Sequence, residues 1–172
     1  MRLAPLALIA ALALMVAPAT TSARPNPRLW ATVNICDTPA APDSMGVRGA
    51  MPGDGSRERM YVRFVAQFYS HSSRRWFTTE GSGRSPWLYV GRSRRRSLQT
   101  GWTFPFAPPP SGRVFRVRAL AVFEWRRWKQ VGRDRDIREI VSKRRKRITR
   151  AGVRGADGGD PAGTSRASCD IV

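Results

Sequence analysis

The chain has 172 residues, 31 of them Lys or Arg against 12 Asp or Glu, giving a formal charge of +19, and it holds two cysteines and one histidine. That length suits one ordinary domain with its own core and leaves too little for two. Two cysteines cannot make a structural zinc site alone and His71 is the one histidine available to help them, which disfavours a metal role, whereas the charge attracts polyanions: nucleic acid, acidic cell-wall polymer or anionic lipid headgroups.

The first 23 residues, MRLAPLALIAALALMVAPATTSA, pass from a positive start through the apolar stretch Leu3 to Val16 into small residues ending at Ala23. The pattern predicts a secretory signal peptide cleaved before Arg24, with 24–172 as a single domain; an uncleaved N-terminal anchor is the competing reading. Loss of Arg2 with this leader leaves thirty basic residues against twelve acidic, a formal +18. Export would place Cys36 and Cys169 in an oxidising compartment, where an even cysteine count predicts a disulfide. It would close a loop of 133 residues and tie the first strand to the last.

Candidate strands follow in order at Trp30 to Cys36, Met45 to Met51, Met60 to Ser70, Arg75 to Thr79 and Trp87 to Val90. In Met60 to Ser70 the alternate residues Val62, Phe64, Ala66 and Phe68 form an apolar face. In Gly101 to Phe106, Trp102, Phe104 and Phe106 share one side, and Pro105, which has no N–H to donate, assigns this strand to an edge or a bulge. TPAAPDS, PGDGS, EGSGRSP, APPPSG and GADGGDPAG are turn signals between strands.

The segment Val114 to Gln130, VFRVRALAVFEWRRWKQ, interleaves arginines with aromatics. Every second residue from Phe115 to Trp125 is apolar, whereas the other parity carries Arg116, Arg118, Glu124 and Arg126, so a long strand with one buried face is predicted and Glu124 is expected in solvent beside Arg126. Its arginines then point away from its aromatics. A base-stacking platform needs both on one exposed surface, so the alternation argues against nucleic-acid stacking here; Trp128 and the residues after it escape that argument.

Asp134 to Ile148, DRDIREIVSKRRKRI, can be drawn as a helix with acids early and bases late, or as two strands around SKRRK; β-branched residues at its apolar positions favour strands. With a terminal strand at Ser168 to Val172, about eight short strands predict an all-β, antiparallel sandwich or barrel.

Basic residues cluster at Arg92, Arg94, Arg95 and Arg96, and again at Lys143, Arg144, Arg145, Lys146 and Arg147. Only Lys129, Lys143 and Lys146 are lysines, and with abundant Ala, Gly and Pro this looks like the coding bias of a GC-rich genome. Preference for arginine is therefore uninformative about recognition, but the field of the charge is real whatever its origin.

The stretch GWTFPFAPPPSGRVFRVRALAVFEW, Gly101 to Trp125, and the tail ITRAGVRGADGGDPAGTSRASCDIV resemble immunoglobulin-like or fibronectin-III-like domains of small exported proteins from GC-rich bacteria. The resemblance implies a β-sandwich and no reaction. The chain departs from immunoglobulin domains proper in placing its cysteines at opposite ends and in lacking a tyrosine corner, with Phe115 near that place.

Catalytic constellations are poorly supplied. His71 lies in SHSS beside Ser70, Ser72 and Ser73, no G-x-S-x-G surrounds any serine, and the acids are scattered through turns. Asp157 and Asp160 sit in a glycine-rich loop without EF-hand spacing, which makes a plain turn the better reading. The residues thus lead to an exported, non-enzymatic binding or structural module without cofactor. Its expected ligand is an anionic cell-envelope polymer, with nucleic acid bound only non-specifically, held by the two basic clusters and Trp128. An extracellular hydrolase that gathers His71 with an acid and a serine, and a passive domain whose charge is genomic bias, are the alternatives.

Overall fold

Alternation of apolar and polar residues, repeated along most of the chain, yields nine strands and no α-helix among the described residues. The computed structural model describes residues 29–79, 81–94, 96–131, 133 and 138–172; the expected leader, Arg95 and Asp134 to Ile137 lie outside them. The strands are β1 (Trp30–Thr38), β2 (Ala41–Pro52), β3 (Arg59–Ser70), β4 (Arg75–Thr78), β5 (Leu88–Arg92), β6 (Ser97–Pro105), β7 (Phe115–Gln130), β8 (Arg138–Ile148) and β9 (Cys169–Ile171). All pairings between them are antiparallel. One sheet has the order β1-β2-β6; the other runs β4-β3-β7-β8, with β5 also pairing β3 and β9 also pairing β7. Among the described residues no helix is long and apolar enough to cross a membrane.

The core lies between the two sheets. Ala31, Val33, Met45, Val47 and Met51 from the smaller sheet meet Val62, Phe64, Val117, Ala119, Ala121 and Phe123 from the larger. These are the residues that the two-residue period assigns to inward faces, so burial of one apolar face per strand sets both registers. Among the described strands β6 pairs only β2, so of the edge and the bulge that Pro105 left open it takes the edge.

Two expectations are corrected. The basic run does not separate two strands: Arg138–Ile148 is one strand, paired continuously from Leu120 opposite Ile148 to Gln130 opposite Arg138. Sixteen residues of β7 offer a template long enough for the whole segment, and an edge strand tolerates charge on both faces. The TPAAPDS turn is also shorter than expected. Thr38 pairs Ala41 across Pro39 and Ala40, while Asp37 and Asp43 take left-handed backbone, with φ of 45° and 49°, and the Asp43 N–H donates to the Asp37 carboxylate at 2.8 Å.

Cys36, near the end of β1, is bonded to Cys169, the first residue of β9, with Cα atoms 5.3 Å apart. The bridge joins the two sheets because β1 belongs to the smaller and β9 to the larger. The chain before β9 is fastened to the same strand. Val33 and Arg166 exchange two backbone hydrogen bonds of 2.9 Å, the Asp160 N–H donates to the Asn34 carbonyl, and the Asn34 amide and Arg48 guanidinium donate to carbonyls of Asp157 and Gly158. The GADGGDPAG loop therefore shields the free edge of β1, with the Asp160 side chain accepting from the Thr38 hydroxyl.

Gly53, in the loop after β2, presses against the β5–β6 turn. A Cβ at this position would fall 1.3 Å from the Arg94 carbonyl oxygen, and the Gly53 N–H already donates to the Arg96 carbonyl at 2.9 Å. Because the obstruction is backbone, Gly53→Ala should cost about 1 to 3 kcal/mol, as overpacking does, measured as a lower denaturation midpoint at unchanged m-value.

Candidate functional site

The face of the larger sheet turned away from the core is built from the polar parity of its strands. Pairing β5 with β3 and β3 with β7 aligns Arg92, Arg59 and Arg126 in one row, each directly opposite the next. One step along β7 the same registers align Tyr89, Tyr61 and Glu124, with Arg144 of β8 completing that row. Strand β7 then runs past the start of β3, pairing β8 alone, and carries Trp128 opposite Ile140.

The overhang and the loop before β3 enclose a cleft of about 450 Å³. Five arginines line it: the row of three together with Arg57 and Arg127. Its apolar walls are Tyr61, Ile140 and Trp128, the last 57% exposed, and Glu58, the one carboxylate that lines it among the described residues, stands 4.0 Å from the Arg127 guanidinium. Arg59 and Arg92 are exposed and have no carboxylate partner among the described residues. Like charges directly opposite in a sheet repel, so this row opposes folding unless an anion or solvent neutralises it.

Glu124 corrects the expectation of a solvent-facing acid. Its parity is the polar one, as the alternation requires, yet it is only 2% exposed because neighbouring side chains roof it. Arg126 reaches its carboxylate at 3.1 Å and Arg144 at 3.2 Å. Burial pushes the Glu124 carboxyl upward, but hydrogen bonds from Arg126, Ser142 and Arg144 outweigh it and leave the group below its ordinary value.

Aromatic rings complete the roof. The Arg126 guanidinium lies 4.3 Å from the centroid of Tyr61 and 4.6 Å from that of Trp87; Arg63 lies 4.6 Å from Trp87 on the same ring system, and Arg144 5.9 Å. Arginines and aromatics therefore do share the outer surface of this sheet. From Phe115 to Arg126 the aromatics and arginines of β7 point to opposite faces, but Tyr61 and Trp87 arrive from β3 and the segment before β5 to meet β7's arginines, and Trp128 shares the face of Arg126. Farther along the same face Arg118 covers Trp76 at 4.1 Å, and burial lowers the Arg118 pKa.

The residues singled out from the sequence are distributed unevenly. Arg92 and Trp128 meet in the cleft. Arg94 and Arg96 are exposed in the turn that packs on Gly53, and Arg95 lies outside the described residues. Pleating divides the basic run of β8, so that Lys143, Arg145 and Arg147 lie opposite the inward residues Trp125, Phe123 and Ala121, whereas Arg144 and Lys146 lie opposite Glu124 and Val122. Lys143 stands 3.6 Å from Asp54, whose carboxyl is held well below its ordinary value by hydrogen bonds from Ser56 and Ser93 together with the Lys143 charge.

Arg57 and Arg59 lie far along the chain from Arg126 and Arg127, so no run of sequence marks them as one group; the register of β3 on β5 and β7, with the loop before β3, is what gathers them with Arg92. His71 is exposed, edge-on to Tyr69 with centroids 5.0 Å apart, and Asp170 is engaged by Arg116 at 2.8 and 2.9 Å. The cleft does not include His71, so the histidine, acid and serine of a hydrolase are not assembled there. No family model, curated protein or solved structure matches the chain.

Proposed function

We propose that the protein is an exported, non-enzymatic binding module that holds an anionic polymer in the arginine cleft of its larger sheet. The signal-like character of residues 1–23 and the inter-sheet disulfide support export, and two antiparallel sheets packed face to face support an immunoglobulin-like or fibronectin-III-like scaffold.

The observation that carries the reading is the row Arg92–Arg59–Arg126 beside Trp128: three arginines opposite one another in register, two lacking a carboxylate partner among the described residues, at the wall of a cleft with an exposed indole. Such a row costs stability in the free protein and repays it when an anion lies across it. The basic residues of β8 add to the long-range field that steers a polyanion toward this end of the sheet.

The test compares two charge-matched variants in binding to polygalacturonate across a salt series. Arg59→Gln with Arg92→Gln should weaken binding about tenfold or more and reduce the salt slope, while Arg145→Gln with Arg147→Gln should weaken it only a few-fold. Equal losses from the two pairs would mean that the charge acts as a diffuse field without a site.

A further inference from the structure

Resting on the cleft as a polyanion site, we infer the class of polymer it takes: single-stranded nucleic acid, with phosphates on the arginine row and bases against the exposed rings on either side. The argument begins with spacing. Glu124, Arg126 and Trp128 project from one face of β7, and alternate residues of a strand stand about 6.8 Å apart. The Tyr61 and Tyr89 pair flanks the Glu124 position, with ring centroids 5.4 Å apart and Tyr89 55% exposed. Trp128, 57% exposed, stands two positions beyond Arg126 on the other side. The surface thus runs ring, cation row, ring. That order suits a polymer in which flat bases alternate with a charged backbone, because bases stack on aromatic rings irrespective of sequence while the phosphates need only donors.

The composition of the cleft argues against an acidic polysaccharide. Sugar hydroxyls are donors as well as acceptors and need carboxylate or amide oxygens at their rim. Among the described residues the cleft supplies five guanidiniums, which only donate, and one carboxylate, which lies beside Arg127. Among the described residues a saccharide bound there would find few acceptors, the Ser56 and Tyr61 hydroxyls and Glu58, whereas a phosphodiester backbone presents acceptors to all five guanidiniums. The Arg126 guanidinium, held against Tyr61 and Trp87 and paired with Glu124, is restrained as a fixed cation of that row.

The experiment titrates the oxidised protein with oligo(dT), with polyphosphate of equal charge and with polygalacturonate, following affinity and tryptophan fluorescence. Oligo(dT) should bind at least tenfold more tightly than the other two and quench fluorescence. Trp128→Leu should lower oligo(dT) affinity by a much larger factor than polyphosphate affinity, removing most of that preference, and Trp128→Phe should restore part of it. Equal affinity for oligo(dT) and polyphosphate, or a preference for polygalacturonate, overturns the nucleic-acid assignment. If Arg59→Gln with Arg92→Gln still lowers binding in that case, the cleft stands as a polyanion site with another ligand. If that variant binds all three polymers like the parent protein, the cleft itself is the wrong site and both readings fall.

Discussion

Replacing Cys36 and Cys169 together by serine should lower stability by about 5 kcal/mol, the chain-entropy value for a cross-link spanning 133 residues. Ordinary domains are stable by about 5 to 15 kcal/mol, so the loss is a large share of the total. For a domain of this size it corresponds to a fall in melting temperature of roughly 10 to 20 °C. The unfolded chain is the main seat of the effect, since the bridge shortens a loop that otherwise includes nearly the whole domain. A native-state component adds to it: β9 has three residues and pairs β7 over three positions, and the bridge is what fastens this short strand to β1 in the other sheet. Thermal unfolding of the double variant beside the oxidised parent checks the value. A difference below about 2 °C would mean that the paired strands hold the ends together unaided.

Glu124→Gln should lower stability by about 2 to 3 kcal/mol and, although it raises the net positive charge, should weaken polyanion binding. Removing one partner of a buried ion pair commonly costs about 3 to 5 kcal/mol. The lower figure applies here because the Arg144 side chain is 62% exposed and Arg126 23%, so water recovers part of the loss. The sign of the binding change separates two mechanisms. A diffuse field predicts tighter binding once a negative charge is gone, whereas a preorganised cleft predicts weaker binding, because Arg126 loses the carboxylate that holds it beneath Tyr61 and Trp87.

The same group sets a pH dependence. Glu124, Asp54 and Asp170 are each more acidic in the folded protein than in the ordinary carboxylate range, Glu124 through its hydrogen bonds to Arg126, Ser142 and Arg144, Asp54 chiefly through Ser56, and Asp170 chiefly through Arg116. On acidification the unfolded chain therefore takes up protons first. The stability these carboxylates contribute is complete above about pH 5 and is lost as the pH falls through the ordinary carboxylate values, near 4, toward their folded ones. Melting temperatures measured between pH 7 and pH 2.5 should be flat at first and then decline steeply, and the decline should be shallower in Glu124→Gln.

Much of the fold was legible because the strand period is strict. Phe115 to Trp125 is apolar at every second position, and all of those residues but the exposed Phe115 lie in the core; Pro105 called for an edge or a bulge, and β6 lies on an edge. The pairing of Cys36 with Cys169 followed from there being only two cysteines. Legibility stopped at the outer face of the larger sheet. Alternation assigns Glu124 and Arg126 to that face, but it carries no information on what covers the face, and the roof comes from Trp87, Tyr61 and Arg144 on other strands. The extent of β8 was hidden too, since a run of five basic residues reads as a break in a strand until a partner of sufficient length is known.

The sequence by itself thus determined an all-β chain with one apolar face per strand, a strongly positive field and a single possible cross-link, because period, composition and cysteine count are local or additive properties. Tertiary structure alone decided that Arg59, Arg92 and Arg126 stand in one row, that Glu124 is buried and that arginines and aromatic rings share a surface. These depend on strand order and register, which bring together residues far apart in the chain, and register is set by how two whole faces pack and not by any short segment.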